Sequence, residues 1–492
     1  MRNFRFLAGF AVFLLVSALA AGSSFMIMGC DAKTDSGIYT LTTKVIPAGS
    51  GTVSLRPNKS SYMPEDTVTV TANPATGYSF KSWSGADEST EKSVTITMDG
   101  DQKLIAEFQI SGIDRLSSME LVKVMGAGWN LGNTLDAHWN AAPWGTISTP
   151  REQETMWGRP VTTKAMIDKL KAEGFNTIRV PVTWYIFTGP APEYKIADAW
   201  MNRVQEVVDY VIDNGMFCIL NTHHEDYHTY SGGVLGWLRL YGNGSAVSAQ
   251  DRQEMNARFG KMWEQIAERF KDYDERLIFE GLNEPRAQLG FDPPGNNAAV
   301  WDSIYSVLNE LLQTFIDKVR ASGGNNASRH LMVTPYFAQF GLHGGENKIE
   351  RFVDTGKKKL KVNDPNNRLI VSLHYYEPYY FAGAGSNDRN SISIYDNSSG
   401  HIPYNNGRVY EFLDKLVNTY KIPVVMGETG ALDKDNEADR VLWAQDYVKH
   451  VQDLGVPVVI WDDGGGFKLL DRRAGTWYFP NLTAALVQAA NK

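Results

Sequence analysis

The chain has 492 residues, 43% hydrophobic and 21% charged, the composition of a folded globular protein and not of a disordered chain or a polytopic membrane protein. Its length suits roughly three average domains, or one large barrel plus a small module. With 48 Lys and Arg against 56 Asp and Glu, the net charge is -8; no basic surplus is left to neutralise phosphates, and nucleic acid is not an expected partner.

At the N-terminus, Arg2 and Arg5 precede an apolar run from Phe6 through Ala21, and a second apolar piece, Phe25 to Met28, leads into Gly29-Cys30. This is the pattern of an export signal over residues 1–30. Ile27-Met28-Gly29-Cys30 resembles a bacterial lipobox, which implies a lipidated Cys30 as the first mature residue; the alternative is an uncleaved signal anchor, since Phe6 to Met28 is long enough to span a bilayer. Residues 31–38 read as a short tether. Either way the rest of the chain is expected outside the cytoplasm, at the cell surface or secreted, touching membrane only through this anchor. The other cysteine, Cys218, lies in the apolar run Met216 to Leu220 and is read as a small buried hydrophobe. No disulfide framework is available.

Residues 39–110 alternate with period two, as in Thr67 to Ala72 and Ser93 to Met98, with Gly, Pro and Asn between the runs. These are half-buried strands of a small β-rich module. Gly51-Thr52-Val53, Gly77-Tyr78-Ser79-Phe80, Trp83-Ser84-Gly85 and Ala106-Glu107-Phe108 resemble the bacterial internalin-B-like repeat, present in a single copy. The resemblance implies a spacer or adhesion module, and Trp83 is read as core.

From residue 111 to 492 the pattern changes to apolar runs separated by helical stretches such as Val161 to Glu173 and Met255 to Phe270. Eight strands are expected: Gly126 to Leu131, Thr177 to Val182, Phe217 to Thr222, Leu277 to Gly281, Leu331 to Thr334, Leu369 to His374, Val424 to Gly427 and Pro457 to Trp461. Strands alternating with helices make an α/β fold with a parallel sheet, and eight such units predict a closed (β/α)8 TIM barrel. In that architecture the working residues stand just past the carboxyl ends of the strands.

Two strand ends carry a carboxylate. Leu282-Asn283-Glu284-Pro285-Arg286 follows the fourth strand and Glu428-Thr429-Gly430 the seventh. Two carboxylates at one mouth suit glycoside hydrolysis, one kept protonated for the leaving oxygen and one ionised toward the sugar carbon. Other strand ends supply Arg179, His223 with His224, His374-Tyr375-Tyr376 and Trp461. Adjacent strand residues face opposite ways, so only one of His223 and His224 is expected to face the barrel axis unless the strand has already ended, and His223 is favoured. The run His223-His224-Glu225-Asp226-Tyr227-His228 lacks the spacing of a helical metal motif, and no metal is expected.

Gly128-Trp129-Asn130-Leu131-Gly132-Asn133-Thr134-Leu135-Asp136-Ala137, Ile178-Arg179-Val180-Pro181-Val182, Thr222-His223-His224, Leu277 through Arg286, Leu373-His374-Tyr375-Tyr376 and Gly427-Glu428 together resemble glycoside hydrolase family 5. The long first motif looks most like its subfamily 4 endoglucanases. The resemblance spans the region from residue 111 onward and implies a retaining endo-β-1,4-glucanase without metal or organic cofactor. Carried over position by position, it implies Glu284 as acid/base and Glu428 as nucleophile. Asn283 would bind the sugar 2-hydroxyl, Arg179 and Tyr376 would support Glu428, and His223, His224 and His374 would line the site. Trp461 would be the floor under the sugar beside the scissile bond, with Asn133 and Trp157 as further binding residues. Trp139, Trp144 and Trp237 lie in loops as either sugar platforms or packing. Asp463 stands where the subfamily often has asparagine. The expected partner is a β-1,4-linked polysaccharide, cellulose, xyloglucan or β-glucan; xylan and mannan remain open because loops choose the sugar on a shared catalytic pair. A monomer is expected, and a glycan-binding protein on an inactive barrel is the reading from another class.

Overall fold

Period-two alternation folds the N-terminal region into two three-stranded sheets around one small core. A computed structural model of the chain describes residues 37–46, 50–75, 78–110, 116–139, 147–226, 228–230, 233–242, 245–287, 297–339, 360–398 and 400–491. Cys30 with the lipobox-like residues before it, the apolar run and Trp144 lie outside the described residues. Strands β1 (Leu41–Ile46), β2 (Gly51–Arg56), β3 (Thr67–Pro74), β4 (Tyr78–Gly85), β5 (Ser93–Thr97) and β6 (Gln102–Ile110) pair in the orders β1-β6-β4 and β2-β3-β5. All pairs are antiparallel except β1 with β6. One face of each alternation is buried: Val68, Val70, Ala72, Ile96, Leu104, Ala106 and Phe108 enclose Trp83. The indole N–H of Trp83 donates to the carbonyl of Glu91 at 3.0 Å, so this ring is core.

The second region closes into a barrel of eight parallel strands. In chain order these are β7 (Gly128–Leu131), β8 (Thr177–Val180), β9 (Phe217–Asn221), then, after a hairpin of β10 (His228–Tyr230) and β11 (Gly233–Leu235), β12 (Leu277–Glu280), β13 (Leu331–Val333), β14 (Leu369–His374), β15 (Val424–Thr429) and β16 (Val458–Asp462). Each pairs with its successor, and β16 returns to β7. Helices such as Lys164–Glu173, Asp198–Asp213, Ala249–Arg269 and Ala298–Ala321 cover the outside. The expected helix from Val161 starts later, after Thr163, and the one expected from Met255 starts earlier, where the Ser248 side chain caps the Asp251 amide. At the second of these, side-chain capping at a polar residue sets the start more sharply than the apolar period does.

The two ends of the barrel differ. At the amino end Ile219, Ile278, Met332, Ile370, Val425 and Val459 pack against Leu121, Val122 and Val124 of the helix Ser118–Val124. That helix plugs the bottom and is held by a reciprocal capping box between Ser117 and Glu120. The carboxyl end stays polar. Cys218 is fully buried on β9, and burial pushes its thiol pKa up, which leaves it an inert packing group.

Strand β15 carries the main irregularity of the barrel. Its pairing with β14 runs Leu373 to Met426 and then His374 to Glu428, and its pairing with β16 shifts between Met426 and Thr429. An extra residue at Gly427 bends the strand and re-aims the side chain of Glu428 just beyond it. A Cβ at Gly427 would meet Ser372 Oγ at 2.6 Å and His374 Nε2 at 3.1 Å, so glycine is what this bend admits.

Candidate active site

Arg179, on β8, is fully buried and touches four groups. Its Nε donates to Glu280 Oε2 at 2.7 Å, Nη1 to Glu428 Oε1 at 2.7 Å and Asn130 Oδ1 at 3.0 Å, and Nη2 to Asn283 Oδ1 at 2.8 Å. Burial opposes the guanidinium charge, but Glu280 and Glu428 outweigh it and lift the pKa above its ordinary value. Arg179 is therefore a permanent cation that ties β8 to β12, β15 and the segment after β12. Asn130 on β7 completes the frame by donating to the Gly427 carbonyl at 3.0 Å.

Glu428 has its second oxygen on the hydroxyl of Tyr376, which donates at 2.9 Å. Burial, reinforced by the charges of Glu428 and Glu284, pushes the Tyr376 pKa well above its ordinary value, so it remains a donor. Glu428 thus receives one charged and one neutral hydrogen bond, one on each oxygen. Glu284 stands opposite. One carboxylate oxygen from each of the two glutamates and a ring nitrogen of His374 all lie within 4.8 Å of one another. His374 Nδ1 is 3.0 Å from Glu284 Oε1 and 3.7 Å from Glu428 Oε2. Burial pushes the Glu284 carboxyl up, but the hydrogen bond and charge of His374, with Arg286 and Arg179 behind it, hold it below its ordinary value in the empty cleft.

The two adjacent histidines both reach the mouth, because β9 ends at Asn221 and both lie beyond it. The alternation that would send one ring to the back has stopped by then. His223 is buried and stacks parallel to Trp461, with ring centroids 5.9 Å apart. Asn221 accepts from the Val182 amide through Oδ1 at 3.1 Å, which leaves its Nδ2 to donate to His223 Nδ1 at 3.1 Å. Burial lowers the His223 pKa well below the ordinary value, so the ring is neutral and its remaining proton sits on Nε2. His224 packs against His138 at 4.6 Å and Trp157 at 5.8 Å. Trp461, on β16, lies so close to Gly132 that a Cβ there would stand 2.8 Å from its ring.

The structure therefore brings Arg179, His223, Asn283, Glu284, His374, Tyr376, Glu428 and Trp461 to one end of the barrel, with His224 and Trp157 beside them. Asn133 stands in the turn after β7 at φ +57°, and its amide donates to Asp136 at 3.0 Å. Trp139 stacks on His138 at 5.0 Å. Trp237 is buried, its indole N–H on Glu225, and is packing. Asp463 receives the amides of Gly465 at 2.6 Å and Phe467 at 3.0 Å, a turn-forming role.

Several residues were not singled out by strand-end reasoning. Glu280 is the second anion on Arg179, and a lone carboxylate inside the apolar strand Leu277–Glu280 is its sequence signal. Glu225 is buried beneath the loops and accepts from the amides of Trp184 at 2.6 Å and Tyr185 at 3.1 Å; burial pushes it up to about 7. Asp136 and Asp226 are likewise pushed up to about 7 by burial.

Comparison with known proteins agrees with this geometry. Residues 135–465 match the cellulase family, glycosyl hydrolase family 5, and residues 41–112 match the divergent InlB B-repeat domain. The chain is 36% identical over 409 residues to Endoglucanase B of Clostridium cellulovorans, covering 81% of each. It is 37% identical over 395 residues to the cellulase/esterase CelE of Acetivibrio thermocellus, an alignment that covers 78% of this chain and spans 42% of that longer protein. Among solved structures, the GH5-4 broad specificity endoglucanase from Ruminococcus champanellensis with bound cellotriose superposes with a TM-score of 0.63 at 40% identity, over 76% of this chain and 98% of that one. A buried Arg179 frame with two facing glutamates at the carboxyl end of an eight-stranded barrel, together with these likenesses, places the chain in glycoside hydrolase family 5, the cellulase family.

Proposed function

We propose that the protein is an endo-β-1,4-glucanase that cleaves internal bonds of a β-1,4-linked glucan by double displacement, with Glu428 as nucleophile and Glu284 as acid/base. The observation that carries this reading is the spacing of the glutamates, whose nearest oxygens lie within 4.8 Å of each other. Retaining enzymes hold their carboxyl groups about 5–5.5 Å apart, whereas inverting ones leave about 6.5–9.5 Å for a water. Glu428, paired with Arg179 and Tyr376, is the anion that attacks the anomeric carbon. Glu284 gives a proton to the leaving oxygen; a bound glucan strips water from it and adds to the desolvation that raises a carboxyl pKa. Once Glu428 is esterified its charge is gone, and Glu284 takes the proton of the incoming water. Asn283, oriented by Arg179, meets the 2-hydroxyl, and the parallel rings of Trp461 and His223 bound the sugar beside the scissile bond.

Cellotriose in the related Ruminococcus champanellensis enzyme supports a β-glucan chain as ligand. Reducing-sugar release by the full chain on carboxymethylcellulose, xyloglucan, mixed-linkage glucan, xylan and mannan tests the substrate. A fall in viscosity that outruns sugar release tests internal cleavage. Tight glucan binding without hydrolysis would overturn the enzymatic reading in favour of a binding protein.

Arg2, Arg5, the apolar run and Cys30 support an exported enzyme tethered by lipid; in this reading residues 39–110 are a spacer and the enzyme acts as a monomer. Labelled palmitate incorporated by the native chain and lost in Cys30→Ser checks the tether. Sedimentation velocity checks the monomer.

A further inference from the structure

Glu284 has two partners. His374 sits on Oε1, while Arg286, two residues further on, donates through Nη2 to Oε2 at 2.8 Å. The guanidinium of Arg286 lies over the ring of Phe337, 4.2 Å from its centroid. Phe337 takes a left-handed backbone at φ +57°, held by its amide on the Pro285 carbonyl at 2.8 Å. The Leu240 amide donates to the Arg286 carbonyl at 3.1 Å. The backbone around Arg286 is thus tied from two sides and its charge is seated on an aromatic face.

Behind this pair is a third group. Asp226 interacts electrostatically with both Arg286 and Glu284. Its Oδ1 is buried without a hydrogen-bond partner, and so is Arg286 Nε. A buried acceptor and a buried donor, each without a partner and near enough for their charges to interact, are each costly to leave unmade and could satisfy one another if Arg286 turned.

We propose that Arg286 is a positioning residue for the acid/base, a cation shared between Glu284 and Asp226 so that these two carboxyls hold one proton between them. In one state Glu284 is the anion on Arg286 and Asp226 carries the proton. In the other Arg286 faces Asp226, now ionised, and Glu284 carries the proton for the leaving oxygen. Both states contain one proton, one cation and one anion, and the proton exchanges through water at the open mouth. Burial pushes Asp226 up to about 7, which Arg286 opposes and Glu284 reinforces, so its ionisation falls where such an exchange can occur. The inference rests on the reading of Glu284 as acid/base.

The test is the pH profile of kcat/KM on a soluble β-glucan. Glu284 is faced by His374 from β14, Tyr376 just beyond it, Glu428 from β15 and Arg179 from β8, and Arg286 by His224; all are kept in every variant. Removing the cation in Arg286→Met leaves Glu284 protonated to higher pH, moving the alkaline limb up by about one unit. Removing the rival anion in Asp226→Asn leaves Arg286 on Glu284 alone and moves the same limb down. Arg286→Lys restores part of the native profile. Limbs that stay put, or that move in the same direction in both variants, overturn the proposal; a merely structural role lowers activity without these opposite shifts. Should Arg286→Met not fold, the downward shift of Asp226→Asn against the Arg286→Lys profile decides. Glu284→Ala with azide on an aryl cellobioside separates the two readings: an alkaline limb that survives there overturns the assignment of Glu284 itself.

Discussion

At the scale of single residues the chemistry depends on how two like carboxylates are kept different. Glu428 is bound by a cation that cannot lose its charge and by a hydroxyl held as a donor. Glu284 shares its oxygens between His374 and Arg286. Replacing Glu428 by Gln is expected to abolish turnover on every glucan while leaving the melting temperature close to that of the native chain; native activity in that variant would remove Glu428 from the mechanism. Glu284→Ala should lose about 10²–10⁴-fold on polymer, the usual worth of a general acid. It should keep most activity on aryl cellobiosides with good leaving groups and regain rate with azide. Arg179→Met is a stability experiment as much as a kinetic one, because it leaves Glu280 buried without its cation. A loss of about 3–5 kcal/mol, read by denaturant unfolding, is the expected cost of breaking such a pair. Motifs at strand ends made Arg179, Glu284 and Glu428 legible in the chain. Glu280 and Asp226 were not, since a carboxylate acquires its partner only when a distant strand or loop is brought beside it.

At the scale of elements, the bend in β15 is what turns Glu428 into the mouth. Gly427→Ala would press a methyl group onto Ser372 and His374. An overpacked site of this kind costs about 1–3 kcal/mol, and because His374 moves, kcat should fall by more than KM changes. An unchanged kcat would show that the neighbouring strands absorb the methyl. The helix Ser118–Val124 is the opposite case. Leu121→Ala, at the far end of the barrel, should cost about 2–5 kcal/mol in unfolding free energy with kcat unaltered at 25 °C. The eight strands were readable because apolar runs of four to six residues stand between helical stretches. Their ends were not, since capping and bulges set them: with β9 ended at Asn221, His223 and His224 both lie past the strand, where alternation no longer sends them to opposite faces.

At the scale of the whole molecule, the polar carboxyl end of the barrel contains several acids pushed up by burial. Asp136, Glu225, Asp226 and Glu377 all stand at about 7. Each binds its proton more tightly folded than unfolded, which lowers stability as pH rises from about 4 to about 7, while the buried His223, His224 and His330, held below their ordinary pKa, act the other way up to about pH 6.5. The melting temperature should therefore drop between about pH 6.5 and pH 7.5, where only the acids still titrate; a flat or rising curve there would mean that their hydrogen bonds already hold these groups ionised. Removing residues 39–110 should leave hydrolysis of soluble substrate unchanged, because Arg179, Glu284, Tyr376 and Glu428 all stand on the barrel, and a large loss would place the module in the site. The sequence by itself determined the two-region plan, the eight-stranded barrel and the identity of the facing glutamates, because period, glycine placement and strand-end motifs are local properties written within a few residues. Only the tertiary structure decided which charges meet: Arg179 on Glu280, Arg286 on Glu284 with Asp226 behind it, and Trp461 parallel to His223. Most of those pairings join residues from some sixty to more than two hundred positions apart, and electrostatic energy depends on distance and burial that no stretch of chain specifies alone.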